Sequence, residues 1–133
     1  MDGADAVMLS GETSVGEYPI EVIKNMASII NKVENSNLIS LASKRPKDQK
    51  SKRYITKSIC FSAAKMANDI KAKAISTLTN SGYTAFQISS WRPSTHILVF
   101  TSNRRILTQL NLLWGVKAFF YDGFQSTDST VEE

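Results

Sequence analysis

Apolar and polar residues follow one another in blocks whose periods predict α-helices and β-strands. Residues 6–9, AVML, form a short continuous apolar run that is typical of a strand buried on both faces of a parallel sheet. A polar loop, SGETSVGE, follows at residues 10–17. A predicted helix begins at Pro19, because the N–H of a first helical residue has no partner within the helix and its absence costs nothing. The apolar residues of this helix recur every three or four positions and form one stripe. The members of this stripe are Ile20, Ile23, Ala27, Ile30 and Val33. The predicted strand, loop and helix together form one βα unit within residues 1–36.

Residues 37–53 have no clear hydrophobic period and predict a basic linker between two domains. Most of the chain's net charge of +4 comes from KRPKDQKSKR at residues 44–53. A basic run can bind nucleic-acid phosphates. This run contains no aromatic residue, however, and no base-reading motif flanks it. We interpret it as a solvated linker and expect no nucleic-acid partner, with nucleic-acid binding as the minor alternative.

From Tyr54 onward the pattern alternates between helical and extended periods. The first helix has a predicted apolar face, which consists of Ile59, Ala63, Met66 and Ile70, and its Ala64 and Ala67 are small enough for close packing. Three strands and two further helices follow; the strands are predicted at residues 73–78, 96–100 and 116–121, and the helices at 83–91 and from the cap Asn103 to about 113. This order predicts an α/β fold with a mainly parallel sheet and right-handed crossovers.

Composition narrows the classes of protein that the chain can represent. It is 42% hydrophobic and 21% charged, which fits a globular domain rather than a disordered or membrane-spanning chain. A single cysteine, Cys60, allows no internal disulfide and suits a reducing cytoplasm. Its apolar neighbours predict a buried hydrophobe rather than a reactive thiol. The only histidine, His96, opens an apolar strand, and no metal-binding spacing of cysteine, histidine or carboxylate occurs.

Two loops are candidates for chemistry because each follows a predicted strand, where parallel-sheet proteins place functional residues. The first contains Ser10 and Glu12 but has no nearby base and forms no nucleophile elbow. The second, TNSGYT, joins a strand end to a helix start, where free N–H groups and the helix dipole favour an anion. It consists of Thr79, Asn80, Ser81, Gly82, Tyr83 and Thr84. We interpret it as a candidate phosphate-binding loop, and an ordinary helix cap is the alternative; it is not a P-loop, because no Gly-Lys-Ser/Thr follows.

Two long segments resemble the pyruvate kinase family. DGADAVMLSGETSVGEYPIEVIKNMASII, residues 2–30, resembles the last strand and last helix of that family's catalytic (β/α)8 barrel. Residues 71–116 resemble its C-terminal regulatory domain. The matching positions there are Thr79, Ser81, Gly82, Thr84, Ala85, Arg92, Pro93, Trp114, Gly115 and Val116.

The resemblance implies a domain organisation. Residues 1–36 would be the final βα unit of the barrel, residues 37–53 the linker, and residues 54–133 a truncated three-layer αβα regulatory domain. Ser10 and Glu12 would lie near the parent active site without being its principal groups. The TNSGYT loop would hold the phosphate of a sugar-phosphate effector, such as fructose 1,6-bisphosphate, although Tyr83 replaces the small or basic residue often found there.

The resemblance also implies a function for the parent protein. Pyruvate kinases transfer the phosphoryl group of phosphoenolpyruvate to ADP in glycolysis, with Mg²⁺ and K⁺, as cytoplasmic homo-oligomers. A (β/α)8 barrel needs about 250 residues, and this chain has only its last unit. We therefore expect a fragment cut at Met1, with no catalytic activity, metal or cofactor of its own. The alternative is a stand-alone phosphate-binding or oligomerisation module.

Overall fold

The computed structural model describes residues 3–36, 46–47 and 49–123. The chain divides into two units, residues 1–40 and residues 41–133. Most of the predicted linker (37–45 and 48) and the polar tail (124–133) lie outside the described residues. Each unit is described by itself below.

The first unit contains two helices, α1 (Gly11–Ser14) and α2 (Pro19–Glu34). Pro19 is the first residue of α2, as predicted, because a proline there loses no hydrogen bond. The predicted loop after residue 9 instead contains the single helical turn α1, in which the N–H of Val15 donates to the carbonyl of Gly11 at 3.1 Å. Neither helix buries any residue, and Ile23 of the predicted apolar stripe is 52% exposed.

The predicted strand at residues 6–9 was wrong for this structure. Residues 6–10 have no regular structure, and Met8 is 89% exposed. A strand is stable only when neighbouring strands satisfy its backbone N–H and C=O groups. Residues 3–36 form no second strand that could supply them. Within residues 3–36 this apolar run therefore has no strand to pair with.

The second unit alternates helices with strands, as predicted from the sequence. Its elements are α3 (Tyr54–Asp69), β1 (Ala74–Leu78), α4 (Tyr83–Ser90), β2 (His96–Thr101), α5 (Arg104–Leu110) and β3 (Val116–Phe120). The three strands form one parallel sheet in the order β1-β2-β3. The α/β class with a parallel sheet is thereby confirmed. No helix in the described part of the chain is long and apolar enough to cross a bilayer.

One face of this sheet carries the hydrophobic core. Parallel pairing aligns Ile75 with Ile97 and Val99 with Ala118, so their side chains share one face. All three helices of the unit contribute buried residues to the same cluster, which contains Cys60, Ala85, Ile88, Ile97, Val99, Leu110 and Val116. The opposite face carries alternate residues such as Phe100 and Phe119, whose rings stack at 5.5 Å. A second helical layer over that face, and the barrel unit, stay predictions.

Helix α3 packs closely through Ala64 and Ala67, as predicted, but not through the apolar face that the pattern indicated. Its buried residues are Cys60, Phe61, Ala64 and Ala67. The ring of Phe61 contacts that of Trp91 edge-on, with centroids 4.9 Å apart. Ile59 and Met66, which the pattern placed on the buried face, are 63% and 62% exposed. Small residues allow the helix to approach its neighbours closely, whereas the larger branched residues lie outside that contact.

Helix α5 begins where the sequence predicts but ends three residues early. The Asn103 side chain accepts a hydrogen bond from the N–H of Arg105 at 3.0 Å and caps the helix. The chain leaves the helix after Leu110 through i→i−3 turns, such as that from the N–H of Leu113 to the carbonyl of Leu110. Gly115 then adopts φ +71°, a conformation that glycine accommodates without strain, and β3 follows.

Candidate phosphate-binding site

The TNSGYT loop, residues 79–84, is called the effector loop from here on, after the prediction that it holds an effector phosphate. It lies at the carboxyl edge of the sheet. It leaves the end of β1 and enters α4 at Tyr83. The N–H of Thr79 donates to the carbonyl of Phe100 on the neighbouring strand at 3.0 Å, which fixes the start of the loop to the sheet. The loop thus lies where parallel α/β proteins bind their ligands, at the positive end of a helix dipole.

Two residues of the effector loop serve its internal structure. Thr79 is 8% exposed, and its hydroxyl accepts a hydrogen bond from the N–H of Gly82 at 3.0 Å. Gly82 adopts φ +78°, which favours glycine, and a Cβ there would lie 3.2 Å from Leu110 Cδ2. Gly82 is therefore required by backbone conformation and by the contact with α5. Both residues thus have structural roles in the loop, and their predicted role in phosphate binding stays a prediction.

The backbone of the effector loop presents donors that have no protein acceptor. Among the described residues, none accepts a hydrogen bond from the N–H of Ser81 or of Thr84. The N–H of Tyr83 has only a 3.5 Å contact with the hydroxyl of Ser81. Asn80 and Ser81 are exposed, and Thr84 is half-buried. First-turn N–H groups of this kind are the donors that anions bind at helix N-termini.

Two contacts from distant parts of the chain complete the surroundings of the effector loop. The side-chain amide of Asn103 donates to the carbonyl of Asn80 at 3.1 Å. The guanidinium of Arg53 lies 4.3 Å from the centre of the Tyr83 ring, within cation–π range. The sequence predicted Asn103 only as a helix cap and Arg53 only as linker charge. Their partners lie 23 and 30 residues away, a separation that no local pattern reveals.

The other predicted site residues, Ser10 and Glu12, lie in the first unit. The N–H of Ser10 donates to a carboxylate oxygen of Glu12 at 2.9 Å. Hydrogen bonds from the backbone of Glu12 itself and then from that of Ser10 lower the pKa of the Glu12 carboxyl. Both residues are exposed. This hydrogen bond joins the two predicted site residues and stabilises the first turn of α1.

The described residues do not fit a divalent metal. They bring together no group of three or more histidine, cysteine, aspartate or glutamate side chains that could ligate one. Cys60 is buried in the core, and burial raises the pKa of its thiol. The expectation that this fragment binds no metal ion stays a prediction.

An α/β domain with an open, glycine-containing loop at the carboxyl edge of its parallel sheet is a class that includes many phosphate-binding proteins. The family model described as "Pyruvate kinase, alpha/beta domain" matches residues 57–133. The chain belongs to the pyruvate kinase family.

Individual relatives agree with the family match. Pyruvate kinase 2 of Synechocystis sp. is 35% identical over 132 residues, which are 99% of this chain and 22% of that protein. A pyruvate kinase of Bacillus licheniformis is 38% identical over 133 residues, with 99% and 22% covered. The crystal structure of a pyruvate kinase from Cryptosporidium parvum superimposes with a TM-score of 0.77 and 28% identity, over 94% of this chain and 26% of that one. The chain thus spans about a quarter of the length of the relatives that it matches.

Proposed function

We propose that this chain is the part of a cytoplasmic pyruvate kinase that carries its regulatory domain, and that the effector loop binds a phosphate group of a sugar-phosphate effector. The whole enzyme would transfer the phosphoryl group of phosphoenolpyruvate to ADP in glycolysis, with Mg²⁺ and K⁺. The observation that supports the effector-binding role is the pair of N–H groups of Ser81 and Thr84, for which no described residue supplies an acceptor. Backbone donors at the start of α4 suit a dianionic phosphate because they need no charged side chain to bind it.

A titration of the full chain with fructose 1,6-bisphosphate tests this role. Amide resonances of the effector loop should shift on binding, and inorganic phosphate should shift the same amides more weakly. Uncharged fructose should leave them unchanged, because the donors select for an anion. We expect weaker affinity than in a complete pyruvate kinase, since further contacts would come from segments outside this chain. Shifts confined to other parts of the chain would contradict the proposal.

A pair of charge variants sharpens the same titration. Thr84→Glu places a carboxylate in the first turn of α4, where it competes with phosphate for the same N–H groups. Ser90→Glu places the same charge at an exposed position at the other end of that helix. We expect Thr84→Glu to abolish binding and Ser90→Glu to retain it. Equal affinity in the two variants would argue against a site at the start of α4.

The chain alone should not catalyse phosphoryl transfer. That reaction depends on metal ions and cationic groups that clamp the transferring phosphate. Within the described residues, no acidic cluster could hold such a metal. A coupled assay with phosphoenolpyruvate, ADP, Mg²⁺ and K⁺ should detect no turnover. Measurable turnover that follows the chain through purification would overturn this part of the proposal.

A second candidate function, oligomerisation, is favoured by the outward face of α3. Ile55, Ile59, Met66 and Ile70 are each between 62% and 72% exposed. A row of large apolar side chains on one helix is typical of a surface that another chain covers. Light scattering should detect a dimer or larger assembly, which Ile59→Lys should weaken. Thr108→Lys, at an exposed position of α5, is the matched control. A monomer at high concentration would contradict this function.

A further inference from the structure

The amide side chain of Asn103 connects two loops at the carboxyl edge of the sheet. Its oxygen accepts from the N–H of Arg105 at 3.0 Å, and its nitrogen donates to the carbonyl of Asn80 at 3.1 Å. These two partners determine the orientation of the amide, because a backbone N–H needs an oxygen and a carbonyl needs an N–H. Its own backbone N–H donates to the hydroxyl of Thr101 at 3.1 Å, and Thr101 is fully buried. The residue is thus held rigidly to β2 and α5 while it contacts the effector loop.

The contact with Asn80 has a consequence for the next N–H along the chain. The carbonyl of Asn80 and the N–H of Ser81 belong to one planar trans peptide, in which the two bonds point in opposite directions. Because Asn103 holds the carbonyl, the N–H of Ser81 must point away from Asn103. Ser81 is exposed, and no described residue accepts a hydrogen bond from that N–H. The bond from Asn103 therefore orients a donor for which the described part of the chain supplies no acceptor.

We infer that Asn103 is a positioning residue for the phosphate site, which it prepares by fixing the peptide between Asn80 and Ser81 with its N–H toward the ligand. This inference rests on the proposed function of the effector loop. A loop that is already ordered loses less conformational entropy when it binds, so its affinity is higher than that of a loop free to rotate this peptide. Asparagine serves both partners here because its amide carries both an acceptor and donors. An ionised aspartate can cap α5 but has no donor, and the hydroxyl of serine or threonine can cap α5 but lies one bond closer to the backbone than the amide nitrogen that reaches Asn80.

The structure offers a matched pair of substitutions. Asn103→Ser keeps a hydroxyl that can cap α5 and removes the amide N–H that donates to Asn80; the serine hydroxyl lies one bond closer to the backbone than that amide nitrogen. Asn111 makes two comparable side-chain hydrogen bonds at the other end of α5, to the carbonyl of Leu107 at 3.3 Å and from the N–H of Ala118 at 3.0 Å. Asn111→Ser therefore removes a similar pair of contacts without touching the effector loop. The two variants separate a role in ligand binding from a role in stability.

The test is a titration of the full chain and of both variants with fructose 1,6-bisphosphate, observed at the Ser81 amide resonance. We expect Asn103→Ser to weaken binding about three- to tenfold, because one well-placed hydrogen bond is lost. The variant should also reduce the shift of the Ser81 amide. Asn111→Ser should bind as the unsubstituted chain does. Wild-type affinity in Asn103→Ser, or an equal loss in Asn111→Ser, would overturn the role of Asn103. If the wild-type chain binds no phosphate ligand, the proposed function is overturned, and the role of Asn103 is overturned with it.

Discussion

Residues 3–36 and residues 49–123 both contain regular elements with apolar stripes, yet they differ in how much of that apolar surface is covered. In the first region no helical residue is buried, and Ile23 is 52% exposed. In the second region Ile97, Val99 and Leu110 are fully buried between the sheet and its helices. An apolar stripe therefore predicts which face of a helix can be buried. It does not predict whether another element is present to bury that face. A core forms where strands pair and bring helices back onto one face.

The ionisable groups differ in the same way between the two regions. Glu12 is exposed, and backbone hydrogen bonds lower the pKa of its carboxyl by favouring the charged form. Cys60 is 2% exposed, and burial raises the pKa of its thiol by disfavouring the charged form. Hydrogen bonding thus sets the direction of the pKa shift at the exposed Glu12, and desolvation sets it at the buried Cys60.

The largest expected difference between the regions follows from truncating one isoleucine in each. Ile97→Ala removes a fully buried side chain from the core and should lower the free energy of unfolding by about 2–5 kcal/mol. Ile23→Ala removes a half-exposed side chain from α2 and should change it by about 0.5 kcal/mol or less. Urea unfolding followed by far-ultraviolet circular dichroism measures both. Equal losses would mean that α2 is buried in solution.

A smaller difference is expected from adding a methyl group at one glycine in each region. Gly82→Ala must adopt φ +78° with its Cβ 3.2 Å from Leu110, and should cost about 1–2 kcal/mol. Gly11→Ala lies in α1, where the nearest atom to the new Cβ is 3.9 Å away. It should be neutral or stabilising, since alanine favours helices more than glycine does. The same urea experiment compares them, and a neutral Gly82→Ala would show that the loop tolerates another conformation.

Thiol reactivity tests the burial of Cys60. The native thiol should react much more slowly with a disulfide reagent at pH 8 than the thiol of the urea-unfolded chain, because it is both covered and protonated. Since folding raises this pKa, the stability that the neutral thiol contributes is complete below the unfolded value near 9.0. It is lost as the pH rises through the folded value. Equal native and unfolded reaction rates would place Cys60 at the surface.

The smallest expected effect concerns Glu12. Its carboxyl should titrate below the ordinary value of 4.5 when its side-chain carbon is followed by nuclear magnetic resonance. Because folding lowers this pKa, its contribution to stability is present above 4.5 and is lost as the pH falls through the folded value. The contribution is slight because the group is fully exposed. Glu12→Gln should therefore leave the urea midpoint at pH 7 nearly unchanged, and a titration at or above 4.5 would mean that the contact with Ser10 does not persist in solution.

Much of the second region was predictable from local pattern. The three strands and the helices between them were placed to within a few residues, because the period of apolar positions and the capping residues act within one element. The effector loop was found for the same reason, since it is defined by a strand end, a glycine and a helix start. The family was indicated by long runs of residues whose order and spacing match.

Other features depended on contacts that the local pattern does not contain. The prediction for α3 was correct for the small residue Ala64 and wrong for Ile59, because a helix with apolar residues on several sides packs through whichever face fits its neighbours. Residues 6–9 have strand-like composition but no strand to pair with in the described part of their unit.

The sequence by itself determined the elements from α3 to β3, their order and the place of the candidate loop, because these depend on interactions between residues a few positions apart. The tertiary structure alone decided which distant residues contact that loop. It placed Arg53 over Tyr83 and gave Asn103 a second partner in Asn80. These contacts join residues that only the pairing of β1 with β2 and the packing of the helices bring together.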